Sequence, residues 1–523
     1  MMKAYQPISS THAPMQRRGF VAGAVATGLA GIVGNAPVLA QEAPKKGGTL
    51  RLGMSGGSTS DTLDPRSFSD VIPITYSSMF WNGLVEIDNQ ERAVPELFES
   101  WEAKPGAAVW IFNVRRGITF TSGKSLDADD VIYSIGLHRG ETRSPIKGML
   151  RPITEIKKLT SHQIQFTLAS GNADLPYLFS SRQLIVVPNG TTDFSKPDGT
   201  GAFTLTEWQP GVRVVATRKP GNYWKPQRGN FDRVELLYIG DSSARTQALL
   251  TGRVDAINRL DPKTASMMMQ APNIDVLRIK GVGNRFAFAS HRDKAPFDNL
   301  DVIMGLKYGI DRQAIVRNVF SGFAVVGNDH LVTPGSKYFD ASLPQRSYDP
   351  DRAAFHFKKA GITTPIELLV SEGAFPGATD SAVLFQESIR KAGVTIDLKR
   401  VSSDGYWDNV WLKAPFCAVF WNPRVTADLQ LSNTFLSDAP WNDTRWKRPE
   451  FDKIVLAARS ELDETKRKKL YADAQRMIAD DGGMINFAVG DLLTASSKKL
   501  RGDAPDERYE LNDMRLPEKG WFA

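Results

Sequence analysis

Cysteine is almost missing from this chain. Cys417 is the only one in 523 residues, so no intramolecular disulfide can form. Its neighbours Phe416, Ala418, Val419 and Phe420 predict a buried strand and an unreactive thiol. Histidine is scarce as well. The six, at positions 12, 138, 162, 291, 330 and 356, fall in no HExxH or HxH pattern and in no paired Cys/His spacing. A metal site built by the protein is therefore not expected, and neither is a cofactor. Beyond residue 40 no run of 18 apolar residues occurs, which leaves no candidate membrane span there. Internal repeats and low-complexity segments are lacking too.

Acids are absent from the first forty residues, which carry Lys3, Arg17 and Arg18. The rest holds 62 basic against 58 acidic side chains, so the overall formal charge of +7 is not that of a nucleic-acid binder. The one tight basic run, Lys466-Arg467-Lys468-Lys469, lies in a helical pattern and reads as a solvated face. Residues 1–40 read as an export signal. Gln16-Arg17-Arg18-Gly19-Phe20-Val21 is a twin-arginine motif, Phe20 to Leu39 is rich in Ala, Gly and Val, and Val38-Leu39-Ala40 offers a cleavage site near Ala40. The glycines, alanines and Pro37 weaken the competing reading as a membrane anchor. No cysteine follows, so no lipid-modified cysteine is expected.

What is present is ordinary globular composition, 41% hydrophobic and 24% charged. At about 150 residues per domain the length suggests roughly three domains. Trp110, Phe112 and Val114 alternate with polar positions as in a half-buried strand, and Gly117 breaks the run. Ile118–Thr121 is read as a short second strand. Asp127 is then a helix N-cap with Asp129 and Asp130 in the first turn, a capping role that leaves these acids no need of a catalytic one. Further on, Ile366–Val370, a helix over Ser381–Ala392 and the run Val394, Ile396, Leu398 predict a βαβ unit with a parallel pair. In that helix Glu387 and Lys391 stand at i,i+4 spacing, and Gly393 ends it. Helices are expected at Pro449–Arg459 and Asp463–Asp480 and a strand at Ile485–Val489. The last 30 residues read as irregular.

Gly53-Met54-Ser55-Gly56-Gly57 matches the nucleophile elbow G-x-S-x-G. That motif needs a helix directly after the strand, and a polar loop follows here. A serine hydrolase using Ser55 is the alternative reading, and a carrier or chaperone without a small ligand is a third.

The stretch from Trp110 to Val131 resembles the signature of the family 5 extracellular solute-binding proteins of bacterial ABC importers. The resemblance rests on Trp110, Phe112, Arg115, Gly117, Phe120, Gly123, Ala128, Asp129, Asp130 and Val131. It extends through Leu63-Asp64-Pro65, Gly83-Leu84, Pro95 to Trp101 with Phe98 in place of alanine, Gly199-Thr200-Gly201-Ala202-Phe203 with Ala202 in place of proline, Asn222-Tyr223-Trp224, Pro296-Phe297 and Ile310-Asp311-Arg312. It implies an α/β fold, a two-lobed periplasmic-binding-protein clamp with an extra subdomain and a discontinuous first lobe. The implied division is 41–85, 199–284 and 488–523 for lobe I, 86–198 for subdomain II and 285–487 for lobe III. It also implies a non-enzymatic, monomeric periplasmic receptor that delivers a peptide or peptide-like solute to permease subunits in the inner membrane.

For the ligand site the resemblance implies the aromatics Tyr76, Trp81, Tyr406, Trp407 and Trp421 together with Asn422, Arg424 and Asp428, with core packing the competing role of Trp407 and Trp421. In dipeptide-binding members the segment after the tryptophan corresponding to Trp421 supplies an aspartate for the peptide's amino terminus. Arg424 stands at that place here, unless a gap shifts the match to Asp428. No arginine stands in the 371–376 segment, where those members hold the peptide's carboxylate. An anionic group on the solute is therefore expected at Arg424, which offers a planar fork to it. A surface or interlobe salt bridge, for instance to Asp428, is the competing role.

Overall fold

The computed structural model describes residues 43–402, 406–439, 441–506 and 508–523. The twin-arginine motif and the cleavage site near Ala40 lie outside the described residues. Three large sheets and two strand pairs make up the β structure of the described residues. A seven-stranded sheet runs in the order Ile274–Ile279, Leu492–Ser497, Ala256–Ile257, Thr49–Met54, Arg233–Tyr238, Arg213–Arg218, Phe203–Gln209. Its central strand, Thr49–Met54, alternates into full burial and pairs in parallel with both neighbours. The sheet thus gathers pieces from the start, the middle and the end of the chain.

A six-stranded sheet is ordered Ala324–Val326, Met484–Gly490, Arg285–Ser290, Phe416–Trp421, Ile366–Val370, Ile396–Arg400. Phe416–Trp421 and Met484–Gly490 are buried almost throughout, which is why, Asn486 apart, they read as continuous hydrophobic runs. The expected βαβ unit is there, with Ile366–Val370 parallel to Ile396–Arg400. Its helix runs Ala378–Arg390, and Glu387 pairs with Arg390 at 3.0 Å rather than with Lys391, whose ammonium lies over the Tyr348 ring. Burial pushes the Cys417 thiol up to about 12, consistent with an unreactive core residue.

The third sheet has four antiparallel strands, Phe98–Ala103, Val109–Val114, Gln163–Leu168 and Ile153–Thr160. Asp127 caps the helix Ala128–Gly136 in a capping box with Asp130. Ile118–Thr121 forms no strand, only a single bridge from Thr119 to Ser125, since Gly117 and Gly123 with positive φ turn the chain too tightly for a ladder. The last 30 residues are not irregular either. They include part of the strand Leu492–Ser497, short pairs at Leu500–Arg501 and Trp521–Phe522, a left-handed turn through residues 511–513 and a helical turn at Leu516–Lys519. Residues 510–518 are buried throughout, so no one-sided pattern shows there. Among the described residues no helix is long and apolar enough to cross a membrane.

The chain passes between the two large sheets at two adjacent places, through Lys280–Asn284 and through Asp491. The two crossings are bonded to each other. The Gly283 amide donates to the Gly490 carbonyl at 2.8 Å, and the Gly490 amide donates to the Asn284 carbonyl at 2.9 Å. Asp491 accepts from the Gly281 amide at 2.9 Å and from Arg278 Nε at 2.6 Å. Glycine is required at 281, where φ is +68° and a Cβ would stand 2.6 Å from Val325.

Candidate ligand-binding cleft

A cleft of about 810 Å³ opens above these crossings. One wall is formed by the start of the helix Val71–Phe80 together with Arg182, Gln183, Arg259 and the segment Arg508–Glu510. The other comes from the six-stranded sheet, with Arg285, the Thr333–Tyr338 loop and Asn422–Ala427. The crossing residues Val282–Asn284 and Gly490–Leu492 form its base.

Ion pairs tie up most of the charge around the cleft. Asp174 and Arg467, both buried, pair at 2.7 Å from opposite walls, and the Ala173 amide donates to the Arg459 carbonyl at 2.7 Å beside them. Lys337 bridges Glu464 at 2.9 Å and the Tyr177 hydroxyl at 3.1 Å. Asp513 is held by Arg182 and, at 2.9 Å, by Arg508. Arg259 reaches Asp70 at 3.0 Å and gives its backbone N–H to Glu510, whose carboxyl burial pushes up to about 7.

Arg285 and Arg424 differ from these. Arg285 is buried and donates only to neutral acceptors, namely the carbonyls of Leu331, Val282 and Gly283 and the Thr333 hydroxyl. The Arg424 guanidinium lies 5.5 Å from the Trp441 ring centroid, and its buried Nε has no partner. Among the described residues neither has a carboxylate within ion-pair distance.

Of the eight residues expected at the ligand site, Asn422 and Arg424 line the cleft. The other six lie elsewhere. Tyr76 is fully buried under the seven-stranded sheet, its hydroxyl on the Thr62 carbonyl and its ring edge-on to Phe68 and Trp208. Trp81 packs in the same core. There Gly199 meets it so closely that a Cβ would come within 2.3 Å, while a Cβ at Gly201 would come within 2.5 Å of the Met79 and Phe80 backbone, which explains the glycines of the Gly199-Thr200-Gly201 turn. Tyr406 is buried with its hydroxyl on the Ala418 carbonyl, and Trp407 packs against Tyr406, Trp411 and Phe420. Trp421 is 4% exposed and donates Nε1 to Asp443 at 3.1 Å. Asp428 does not meet Arg424. It is buried against Arg459 at 3.0 Å and Ser432 at 3.1 Å. Tyr76, Tyr406, Trp421 and Asp428 bond inward, Trp81 and Trp407 pack against neighbouring rings, and none of the six lines the cleft. Arg285, Arg182 and Arg508 were not singled out in the sequence. The one available signal was an arginine opening the otherwise apolar strand Arg285–Ser290.

Ser55 follows its strand as the elbow pattern requires, but no helix follows Ser55. The chain runs on to a 3₁₀ turn at Pro65–Ser67 and enters a helix only at Val71. Its backbone is held on both sides by the Asn258 amide, at 3.0 and 3.2 Å. Gly56 and Gly57 lie against Val71 and Ile72, where a Cβ would come within 2.6 and 2.9 Å. The glycines serve close packing of loop on helix, and nothing supports the hydrolase reading.

Residues 92–443 match the model of the bacterial extracellular solute-binding proteins, family 5 middle. The chain belongs to this family. It is 26% identical over 452 residues to the di/tripeptide-binding protein 2 of Pseudomonas aeruginosa, covering 78% of this chain and 83% of that one. Among solved structures, HbpA2 from Haemophilus parasuis superposes with a TM-score of 0.81 at 21% identity, over 91% of this chain and 100% of that one. The periplasmic binding protein AgaA of A. tumefaciens R10, solved with agropinic acid, gives 0.73 at 20% identity, over 91% and 99%. The fold is accordingly the two-lobed clamp of periplasmic binding proteins, and the protein is an extracellular solute-binding protein.

Proposed function

We propose that this protein is the periplasmic receptor of an ABC importer for an anionic, peptide-like solute, which it captures in the cleft and hands to permease subunits of the inner membrane. In this reading lobe I comprises 41–85, 199–284 and 488–523, subdomain II comprises 86–198, and lobe III comprises 285–487. Closure of lobe III over lobe I encloses the solute. The protein is exported by the twin-arginine route, is cleaved near Ala40, and acts as a monomer without a cofactor and without catalysing a reaction.

The observation that carries the reading is Arg424, a half-buried cation on the cleft wall with no carboxylate partner among the described residues. The di/tripeptide-binding relative and the structure holding agropinic acid fit a solute of this kind. Mass spectrometry of material released from the purified protein identifies the solute. Calorimetry with that solute, and with a panel of di- and tripeptides, glutathione and opines, measures its affinity. Small-angle scattering is expected to show a smaller radius of gyration with solute bound. A solute-free preparation that binds no member of the panel and yields no released compound would refute the reading.

A further inference from the structure

Arg285 and Arg424 meet at one end of the six-stranded sheet for a topological reason. Arg285 is the first residue of its strand and pairs in register with Trp421, the last residue of the neighbouring strand. Arg424 follows three residues later, as the chain turns over the sheet end into the cleft. On the other side Arg285 is flanked by Val489, one residue before the Gly490 crossing. Strand register thus brings the two arginines to the same end of the sheet, and both line the cleft.

Their surroundings are incomplete. Five N–H donors are available on each guanidinium. Arg285 spends most of its own on three carbonyls and a hydroxyl, which fix its plane but leave its charge uncancelled. Arg424 spends none on a carboxylate among the described residues, and its contact with Trp441 is through the ring face. Burial first, and then the charge of Arg424, lower Arg285 to about 9, so it remains a cation at neutral pH. Other arginines at the cleft, Arg182, Arg259 and Arg508, reach a carboxylate. A buried charge without a counter-charge is costly, and two adjacent like charges add to that cost.

We propose, building on the solute-capture reading above, that Arg285 and Arg424 form a two-guanidinium clamp for an oxyanion at one end of the solute, which completes the charge balance of this wall. Arg285 is the rigid half, set by its carbonyls. Arg424 is the adjustable half, with free Nη groups that can fork onto two oxygens. The chemistry shared by the possible ligands is a carboxylate or phosphate group. A ligand ending in a neutral or cationic group is excluded from this end.

The test uses the mature protein after its solute has been dialysed away. At fixed ionic strength it is titrated with glutarate, inorganic phosphate, glutathione and the neutral control glutaramide, by calorimetry and by thermal melting. Saturable binding of at least one anion is expected, with none of glutaramide, and the preferred anion tells carboxylate from phosphate. Affinity for the bound anion, and for the solute identified by mass spectrometry, should fall at least tenfold in Arg424→Gln and in Arg285→Gln. Partial recovery is expected in Arg424→Lys, and if Arg285→Gln does not fold, Arg285→Lys takes its place, with an intermediate loss of affinity expected and an unchanged affinity overturning the clamp. A solute that binds the wild type and both glutamine variants equally would overturn the clamp while leaving solute capture standing. So would a solute that binds where no anion does. Failure of every probe and of the peptide panel would overturn both.

Discussion

Two clusters of buried charge in this molecule are treated in opposite ways. At the junction of the four-stranded sheet with the seven-stranded one, Glu86, Glu96 and Glu518 face Lys225, Arg228, Arg515 and Lys519. Arg515 alone reaches Glu96 at 2.6 Å, Glu518 at 2.6 Å and Glu86 at 3.2 Å. Arg228 meets Glu86 at 2.9 Å, Lys519 meets it at 3.0 Å, and Lys225 bridges all three acids. Burial opposes ionisation of the acids, but the surrounding cations outweigh it and hold Glu86 well below the usual carboxylate range. The cluster is closed on itself. It joins segments far apart in sequence, which is a structural task. On the cleft wall, Arg285 and Arg424 are left open. Withdrawal from water therefore does not by itself fix the role of a charge. What separates architecture from recognition is whether the counter-charge comes from the chain or has to come from outside it.

The comparison breaks first at Arg515. Replacing it by methionine keeps much of the volume but leaves three buried carboxylates short of their main cation. Removing one partner of a buried ion pair costs roughly 3–5 kcal/mol. Thermal and denaturant unfolding of the solute-free protein should show a loss of that size, with affinity at the cleft unchanged in whatever remains folded. Arg424→Gln should do the reverse, with a small change in melting and a large one in binding. If both variants shifted stability alone, the two clusters would be of one kind.

Next in size is Trp421. Its ring is buried among Trp411, Trp441 and the core of the six-stranded sheet. Trp421→Ala should cost about 3 kcal/mol of stability, as large-to-small changes of buried aromatics do. Unaltered melting with weakened binding would instead return this residue to the ligand site.

The fate of Trp421 shows what was legible in the sequence and what was not. Local signals carried well. The period-2 run gave the strand Val109–Val114, Asp127 gave its cap, and Ile366–Val370 gave one strand of a parallel pair. The place of the cleft near residue 424 was also legible, through the family resemblance. Which side chains face it was not, because that depends on partners remote in sequence. Trp421 turns inward to Asp443, and Asp428 to Arg459. Arg467, embedded in a run of lysines that reads as solvated, is drawn into the interior by Asp174, nearly 300 residues earlier, while Lys466, Lys468 and Lys469 stay exposed. Arg285 gave only a faint signal, because an arginine at a strand start is ordinarily a surface residue.

The smallest expected effect sharpens the comparison by adding a third way of treating buried charge. An arginine cannot readily shed its proton, so a buried one without a counter-charge remains charged. A carboxyl group can become neutral by keeping its proton. Asp443 does this. It is buried, Oδ2 accepts the indole N–H of Trp411 at 3.2 Å and of Trp421 at 3.1 Å, and Oδ1 has no partner. Burial raises it to about 7, and the two indole N–H groups only partly offset that rise. The unfolded chain releases this proton near pH 3.9. Between the two values the folded state binds more protons than the unfolded one, so the contribution of Asp443 to stability is complete below about pH 4 and is lost as pH rises through about 7. Asp443→Asn keeps the shape and an oxygen for both indoles but does not titrate. Glu510 and Asp503, also raised to about 7, titrate alike in wild type and variant, so the readout is the difference between the two stability curves. That difference should begin to open near pH 4, grow in favour of the asparagine variant by about 1 kcal/mol or more up to about pH 7, and level off above it. A flat difference would mean that Asp443 is ionised in the fold like the carboxylates of the closed cluster. A counter-charge would then have to lie beside it, as one does beside Glu86.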